Sequence, residues 1–158
     1  MAAGSEAAEL AARFSIEHHL VDVRERFRKC VIEPFVQSYV SGDTPNPCVD
    51  CNPTIKFRLL EEWADALDCK YIATGHYVRT VADGGKVYIR AGADAKKDQS
   101  YFLWRLTDSQ LQRVIFPLGG LTKEQVRQQL KEYGLVEKSE DGESMEICFL
   151  TGDYRDFL

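Results

Sequence analysis

The chain contains no run of about 18 apolar residues, so nothing in it reads as a membrane-spanning helix. Its opening, MAAGSEAAELAARF, lacks the basic n-region and apolar h-region of a secretory leader. Phosphate-cradling patterns are missing too: there is no Walker motif, no GxGxxG and no Ser-Gly-Gly run. Basic charge is not in excess. The net charge of −5 on its own argues against a nucleic-acid partner. Five cysteines, an odd number, argue against a secreted disulfide scaffold and for thiol or metal chemistry in a reducing cytosol. No repeat or low-complexity segment is present. What is there is ordinary for a chain with a real core: 158 residues, 44% hydrophobic and 11% aromatic, enough for one domain or a piece of one.

The distribution of charge is less ordinary than its total. Residues 70–113 hold eight basic and four acidic side chains, a local +4, so the remainder carries −9. A basic sector on an acidic chain leaves room for RNA; a solvated mixed surface explains it equally well.

Prolines are few and concentrated. Three of the five fall in residues 44–57, TPNPCVDCNPTIKF, with two of the five cysteines. Pro45 and Pro47 fix their own φ and push Thr44 and Asn46 into extended geometry. Asn52-Pro53 reads as a helix start, followed by Ile55, Leu59, Leu60, Trp63 and Leu67 at helical spacing. Cys51 is then expected just before a helix N-terminus, where partial positive charge favours a thiolate.

Elsewhere the pattern predicts a helix over 5–14, a strand over 16–23, and a helix over 24–41 with Phe27, Val31, Phe35 and Tyr39 on one face, bent at Pro34. A short strand is expected at 71–73. Strands at 78–81 and 86–90 flank Ala-Asp-Gly-Gly, a hairpin signal. Residues 92–100 read as a polar loop and 100–114 as a helix. A helix over 122–133 has Thr122 as cap and Gly134 as stop. Residues 137–146 form an acidic loop before a strand at 147–150. This rhythm is that of an α/β sheet, with sites expected at the C-terminal ends of its strands, where Thr74-Gly75-His76 falls.

Cys48-x-x-Cys51 has the spacing of metal sites and redox dithiols. A closed zinc site needs four ligands, and Cys48, Cys51 and Cys148 supply three. Three thiols suit a 4Fe–4S cluster with one open iron, or a catalytic thiol with a partner thiol. A thioredoxin-type motif would put the first cysteine, not the second, at the helix start. Cys30 and Cys69 are expected to be buried structural thiols. Gly75 permits close backbone approach to a nucleotide. His76 beside it reads equally as a structural residue, and Lys96–Ser100 as a surface loop. His18 and His19, adjacent on the expected strand, face opposite sides and share no metal.

TPNPCVDCNPTIKF, YIATGHY, KKDQSYFLWRL, FPLGGLTKEQVR and MEICFLTGDYRDFL occur in order and resemble, over nearly the whole chain, the tRNA-specific 2-thiouridylases. The resemblance implies a partial Rossmann-like α/β domain of the ATP-pyrophosphatase type with a β-hairpin insertion. Its first strand and Ser-Gly-Gly phosphate loop are not in the chain. Residues 1–158 would form an incomplete catalytic domain, without the family's linking domain and C-terminal β-barrel. The family uses ATP, with Mg²⁺, to adenylate uracil O2 at position 34 of tRNAs for Lys, Glu and Gln. A protein persulfide then delivers sulfur obtained from a cysteine desulfurase or sulfur-relay protein.

Carried over by position, Cys51 is the nucleophile and Cys148 the persulfide carrier, and the two can pair as a disulfide. Asn46, Pro47 and Cys48 would contact the target base, Gly75 the nucleotide, and His76, Lys97, Asp98 and Gln99 the tRNA. The family pattern usually has Asp where this chain has Cys48, so Asp50 substitutes for that acid/base group or the site works differently. The set Cys48, Cys51 and Cys148 matches the cluster-dependent tRNA thiolases. The resemblance implies a cytoplasmic enzyme and no turnover of ATP by the isolated chain. A non-catalytic tRNA-binding or sulfur-relay module and a thiol–disulfide oxidoreductase are the alternatives.

Overall fold

The computed structural model describes residues 2–136, 147–150 and 154–157. The expected acidic loop at 137–146 lies outside them. In chain order the helices α1 (Ala2–Arg13), α2 (Arg24–Phe27) and α3 (Glu33–Val40) come first, with a π-helical stretch, Arg28–Ile32, joining the last two. Then come α4 (Pro47–Cys51), a second π-helical stretch (Asn52–Lys56) and α5 (Phe57–Ala66). Strands β1 (Ile72–Ala73), β2 (Val78–Asp83) and β3 (Lys86–Ala91) follow. A 3₁₀ turn (Ser100–Leu103), α6 (Asp108–Arg113), β4 (Val114–Ile115), α7 (Lys123–Glu132) and α8 (Tyr154–Phe157) complete the order.

Two small sheets result. β1 and β4 pair in parallel, Ile72 with Val114 and Ala73 with Ile115. β2 and β3 form an antiparallel hairpin closed by Gly84 and Gly85, both at positive φ, the backbone a two-residue turn demands. The hairpin root is clasped to the body. A Cβ on Gly119 would lie 1.9 Å from the Val78 carbonyl oxygen, and one on Gly92 would lie 2.7 Å from that of Tyr77. Only glycine lets these backbones meet.

The continuous helical run 47–66 separates two cores. On one side Phe57 and Ala64 pack with Ile72, Val78, Leu103, Leu106, Leu111 and Val114. On the other, Cys51 and Ile55 pack with Val31, flanked by Phe27, Cys30 and Phe149.

Several expectations are corrected. The helix starts at Pro47, not Pro53: Asn46 is its N-cap, with Oδ1 accepting the Cys48 N–H at 3.1 Å. Pro at the first helical position with Asn before it satisfies both rules six residues earlier than expected. Pro53 has no N–H to give and falls inside the π-helical stretch. There Asn52 Nδ2 donates to the Cys48 carbonyl and Thr54 Oγ1 to that of Asp50. The wider turns shift the helical phase, so Phe57 is fully buried and Leu67, expected on the apolar face, is 51% exposed.

Residues 16–23 are not a strand. No strand among the described residues lies beside them to take up their backbone groups, and Ile16 and Leu20 face solvent. His18 and His19 therefore lack the alternation of a strand; His19 leans on Trp63 with ring centroids 4.7 Å apart. Residues 100–114 are not one helix. Thr107 breaks the run by capping α6 in a capping box with Gln110, and Val114–Ile115 leaves as β4. Residues 147–150 are a turn, closed by Leu150 N–H to the Ile147 carbonyl at 2.9 Å. Cys69 is exposed rather than buried. Cys30 is half-buried rather than buried. Thr122 caps α7 in a second capping box and Gly134 ends it at φ 72°, as expected, and a π-helical stretch precedes Pro34.

The phase shift has a measurable consequence. Phe57→Ala is expected to cost about 3–5 kcal/mol, while Leu67→Ala stays within about 0.5 kcal/mol. Urea unfolding of the two variants checks this; the reverse ranking would mean that the helix keeps a regular α phase.

Candidate active site

The site is built around the first turns of the 47–66 helix. Cys48 and Cys51 are one turn apart on it, Cys48 half-buried and Cys51 only 7% exposed. Asn52, 2% exposed, locks this turn in place. Its Nδ2 donates to the Cys48 carbonyl (2.9 Å) and to the Phe102 carbonyl (3.0 Å), tying the thiol helix to the 3₁₀ turn. Its Oδ1 is buried with no hydrogen-bond partner among the described residues. A second tie is the ion pair between Asp50 and Arg105. Asp50, the candidate substitute for the family's acid/base carboxylate, is thus engaged by a cation.

Cys148 reaches the same place from the far end of the chain. Its neighbour Phe149 is gripped by aromatic rings: Phe35 at 5.3 Å, Phe27 at 5.6 Å and Phe157 at 5.5 Å between centroids. Phe149 also packs on the core that contains Cys51. Cys148 itself is exposed, and all five cysteines are free thiols. It lies near enough that its charge raises the pKa of both Cys48 and Cys51.

Electrostatics at the thiols run against the sequence expectation. Burial pushes both Cys48 and Cys51 above the ordinary thiol value, and the helix start does not reverse it. The opposing influence is Lys56, whose ammonium lowers both. Lys56 also acts on His76. Burial first, and Lys56 second, depress that imidazole to about 4, so it is neutral at physiological pH. One exposed cation therefore faces three groups of the site. It lies within TPNPCVDCNPTIKF, and the helical pattern there marks it only as a solvent-facing position.

Gly75 and His76 follow β1 at its C-terminal end, where Thr74 N–H still bonds the Ile115 carbonyl at 3.2 Å. His76 Nδ1 meets Thr74 Oγ1 at 2.8 Å, and its ring lies against Phe57 (5.9 Å) and Phe116 (6.3 Å). A Cβ on Gly75 would meet nothing closer than Leu118 at 3.8 Å, an ordinary contact. The fold itself does not require glycine there.

The remaining expected residues divide. Asn46 spends Oδ1 on the cap, and Pro47 is buried beneath the helix start, so of the expected base-contacting trio Cys48 stands nearest to open chemistry. Asp98 and Gln99 turn inward. Asp98 accepts from Gly92 N–H (2.8 Å) and Ser100 Oγ (2.6 Å), and Gln99 Oε1 accepts from Tyr77 N–H (2.9 Å). Burial pushes the Asp98 carboxyl up, but these hydrogen bonds outweigh it and hold it below the usual range. Lys97 is half-buried in the same loop.

Among the described residues no three or more His, Cys, Asp or Glu side chains converge in an arrangement that could hold a metal ion. Cys48, Cys51 and Cys148 therefore do not form such a group. No helix among the described residues is long and apolar enough to cross a membrane.

Comparison with known proteins adds the following. The family model described as the tRNA methyl transferase HUP domain matches residues 2–152. The chain is 58% identical over 153 residues to a tRNA-specific 2-thiouridylase of Bacteroides fragilis, covering 97% of this chain and 42% of the relative. It is 54% identical to one of Phocaeicola vulgatus (97% and 41%), and 48% identical over 158 residues to one of Syntrophomonas wolfei (99% and 46%). The chain therefore spans a little under half the length of these curated relatives.

Two titrations follow from the geometry. Alkylation of Cys51 by iodoacetamide should have a pH midpoint above that of a free cysteine. Lys56→Met should move it higher still, because removing a cation disfavours the thiolate; a midpoint below free cysteine would overturn this reading. His76, depressed from 6.5 to about 4, makes the fold lose stability as pH falls from about 6.5 to about 4, since the unfolded chain takes the proton first. Below about 4 that contribution levels off. Urea midpoints of the wild type and His76→Gln across this window check it, the variant losing that part of the slope.

Proposed function

The chain belongs to the tRNA methyl transferase HUP-domain family, and on that premise we propose that it is part of the catalytic domain of a tRNA-uridine 2-sulfurtransferase. The observation that carries the proposal is that Phe149, next to Cys148 in the chain, packs on the core that contains Cys51, although about a hundred residues of chain lie between the two cysteines. The substrate is the wobble uridine, position 34, of tRNAs for Lys, Glu and Gln. ATP supplies the activation. Its adenylyl group goes to uracil O2 and pyrophosphate leaves, with Gly75 against the nucleotide and the domain of ATP-pyrophosphatase type.

Sulfur then moves in two displacements. The outer sulfur of a persulfide on Cys148 attacks C2; the C2–O2 bond breaks, AMP leaves with the electron pair, and the persulfide proton goes to solvent. Cys51 next attacks Cys148 Sγ. The S–S bond to the sulfur on C2 breaks, 2-thiouridine leaves, and a Cys51–Cys148 disulfide forms, which an external dithiol reduces. The sulfane sulfur is reduced and the two cysteines are oxidised, so electrons balance. The persulfide is loaded by a cysteine desulfurase or a sulfur-relay protein. Lys56 supports the second displacement, because it opposes the burial that otherwise keeps Cys51 protonated. His76, Lys97, Asp98 and Gln99 belong to the tRNA-facing side, the last two as the residues that shape its loop. Gly75 lies at the end of β1, where α/β folds bind ligands. Asn46 and Pro47 serve the target base by fixing Cys48 beneath it.

A thiol–disulfide oxidoreductase keeps one observation in its favour. With the helix starting at Pro47, Cys48 sits in its first turn and Cys51 one turn later, as redox dithiols are placed. That reading makes Cys148 dispensable.

The test grafts residues 5–158 into the Bacteroides fragilis relative and measures 2-thiouridine in transcribed tRNA by mass spectrometry. Cys51→Ser and Cys148→Ser are each expected to lose at least about 10³-fold in rate, as removal of a nucleophile does. The isolated chain is expected to release no AMP. Full activity of Cys148→Ser, with a Cys48–Cys51 disulfide that cycles with dithiothreitol, would favour the oxidoreductase instead.

A further inference from the structure

The three thiols of the site differ in exposure. Cys148 is exposed, Cys48 half-buried and Cys51 buried. In a disulfide between Cys51 and Cys148 the sulfur open to solvent is therefore that of Cys148. An external thiol that attacks it leaves a mixed disulfide on Cys148, and the carrier stays blocked until a second thiol clears it. Attack on the other sulfur, Cys51 Sγ, frees Cys148 at once. With Cys51 enclosed in a core, that attack has to come from inside the protein.

Cys48 is placed for it, one turn before Cys51 on the same helix. Helical geometry sets their Cα atoms about 5 Å apart, inside the roughly 4.4–6.8 Å that a disulfide spans. The backbone of Cys48 is pinned on both sides. Its N–H donates to Asn46 Oδ1 at 3.1 Å, and its carbonyl accepts from Asn52 Nδ2 at 2.9 Å. Side-chain rotation is what remains to bring the two sulfurs together, and a reaction held that close needs little further ordering. Burial keeps the Cys48 thiol above its ordinary value and Lys56 opposes it; a thiolate of higher pKa is also the stronger nucleophile. Cys30 is the competing thiol. It packs against the core that contains Cys51, but from the π-helical stretch Arg28–Ile32 and not from the neighbouring turn of the same helix.

We propose that Cys48 is a resolving thiol: after sulfur transfer it attacks Cys51 Sγ of the Cys51–Cys148 disulfide, forms a Cys48–Cys51 disulfide and returns Cys148 to the free thiol. The proposal rests on the sulfur-transfer reading above, which is what forms the Cys51–Cys148 bond. One S–S bond forms as another breaks. The Cys48 thiol gives its proton to solvent; Cys148 leaves with the electron pair and takes a proton from solvent. Cys48 is oxidised as Cys148 is reduced, so the exchange needs no further reactant. The external dithiol of the cycle then acts on the Cys48–Cys51 pair, through the half-buried sulfur of Cys48, while Cys148 is already free to take up its next sulfur.

The experiment uses the full chain carrying Cys69→Ser, which removes the other exposed thiol. It is mixed with an equimolar amount of dithiobis(nitrobenzoate), whose aromatic disulfide caps Cys148 and stands in for the persulfide S–S bond. Samples quenched with N-ethylmaleimide over time are mapped by mass spectrometry, with circular dichroism as the folding check. Three species are expected in order: capped Cys148, the Cys51–Cys148 disulfide, and the Cys48–Cys51 disulfide with Cys148 alkylated by the quench. With Cys48→Ser added, the series stops at Cys51–Cys148, which persists at least about 10-fold longer. With Cys30→Ser added instead, the series is unchanged. Decay of Cys51–Cys148 at the same rate with and without the Cys48 thiol would overturn the resolving role and leave the sulfur-transfer reading standing. So would a Cys30–Cys51 or Cys48–Cys148 disulfide in place of Cys48–Cys51. If the folded Cys48→Ser chain never forms Cys51–Cys148, the transfer reading fails and the resolving role with it.

Discussion

The buried amide of Asn52 is the contact on which the site depends. One NH₂ group bonds two carbonyls from distant segments, that of Cys48 in the thiol helix and that of Phe102 in the 3₁₀ turn, which lies 50 residues along the chain from Asn52. The first bond fills a place in the irregular turn before Pro53, which has no N–H to contribute. The second fixes the helix against the loop segment that also supplies Gln99 and Asp98. A side chain of this size buried at 2% exposure is tolerated largely through hydrogen bonds, and here its NH₂ group is satisfied by joining the two halves of the site, while Oδ1 has no partner among the described residues. Cys48, Cys51 and the segment after β1 thereby hold a common frame.

The second constraint is aromatic. Phe149 is inserted among Phe27, Phe35 and Phe157, so the turn carrying Cys148 is anchored by the residue next to it rather than by regular secondary structure. This explains why a turn can present a reactive group reproducibly: the burial of one ring restrains the backbone on which the thiol sits. The two π-helical stretches belong to the same arrangement. One lies in the helix that receives Phe149 and the other directly after Cys51, and each shifts the faces of its helix relative to a regular α-helix.

Much of this was legible in the sequence, and the misreadings share physical causes. Capping residues and glycine punctuation located α7 and the hairpin because these signals are local: Thr122 bonds Gln125, and Gly84-Gly85 sets its own turn. The start of the thiol helix was misplaced because Asn46-Pro47 and Asn52-Pro53 are the same signal twice, and a proline can be carried inside a π-helical stretch. The face of α5 was misread because that stretch rotates it, which periodicity counted in steps of 3.6 cannot register. Val114 reads as the end of a helix because a two-residue strand has no period. At the site, Cys48, Cys51, His76 and Cys148 stood out by type and spacing. Lys56 did not, since a lysine at a solvent-facing helical position carries no distinguishing pattern; only three-dimensional convergence shows that its charge reaches three groups.

The unequal exposure of the thiols has a kinetic consequence. Cys51 is shielded within a core while Cys148 stands in solvent. On the proposed function, a sulfane sulfur carried on Cys148 would be open to every small thiol in its surroundings, each of which could strip it off as hydrosulfide before it is used. Sulfur carriage there would be a race against the local reductant pool, its efficiency a matter of timing between donor and substrate.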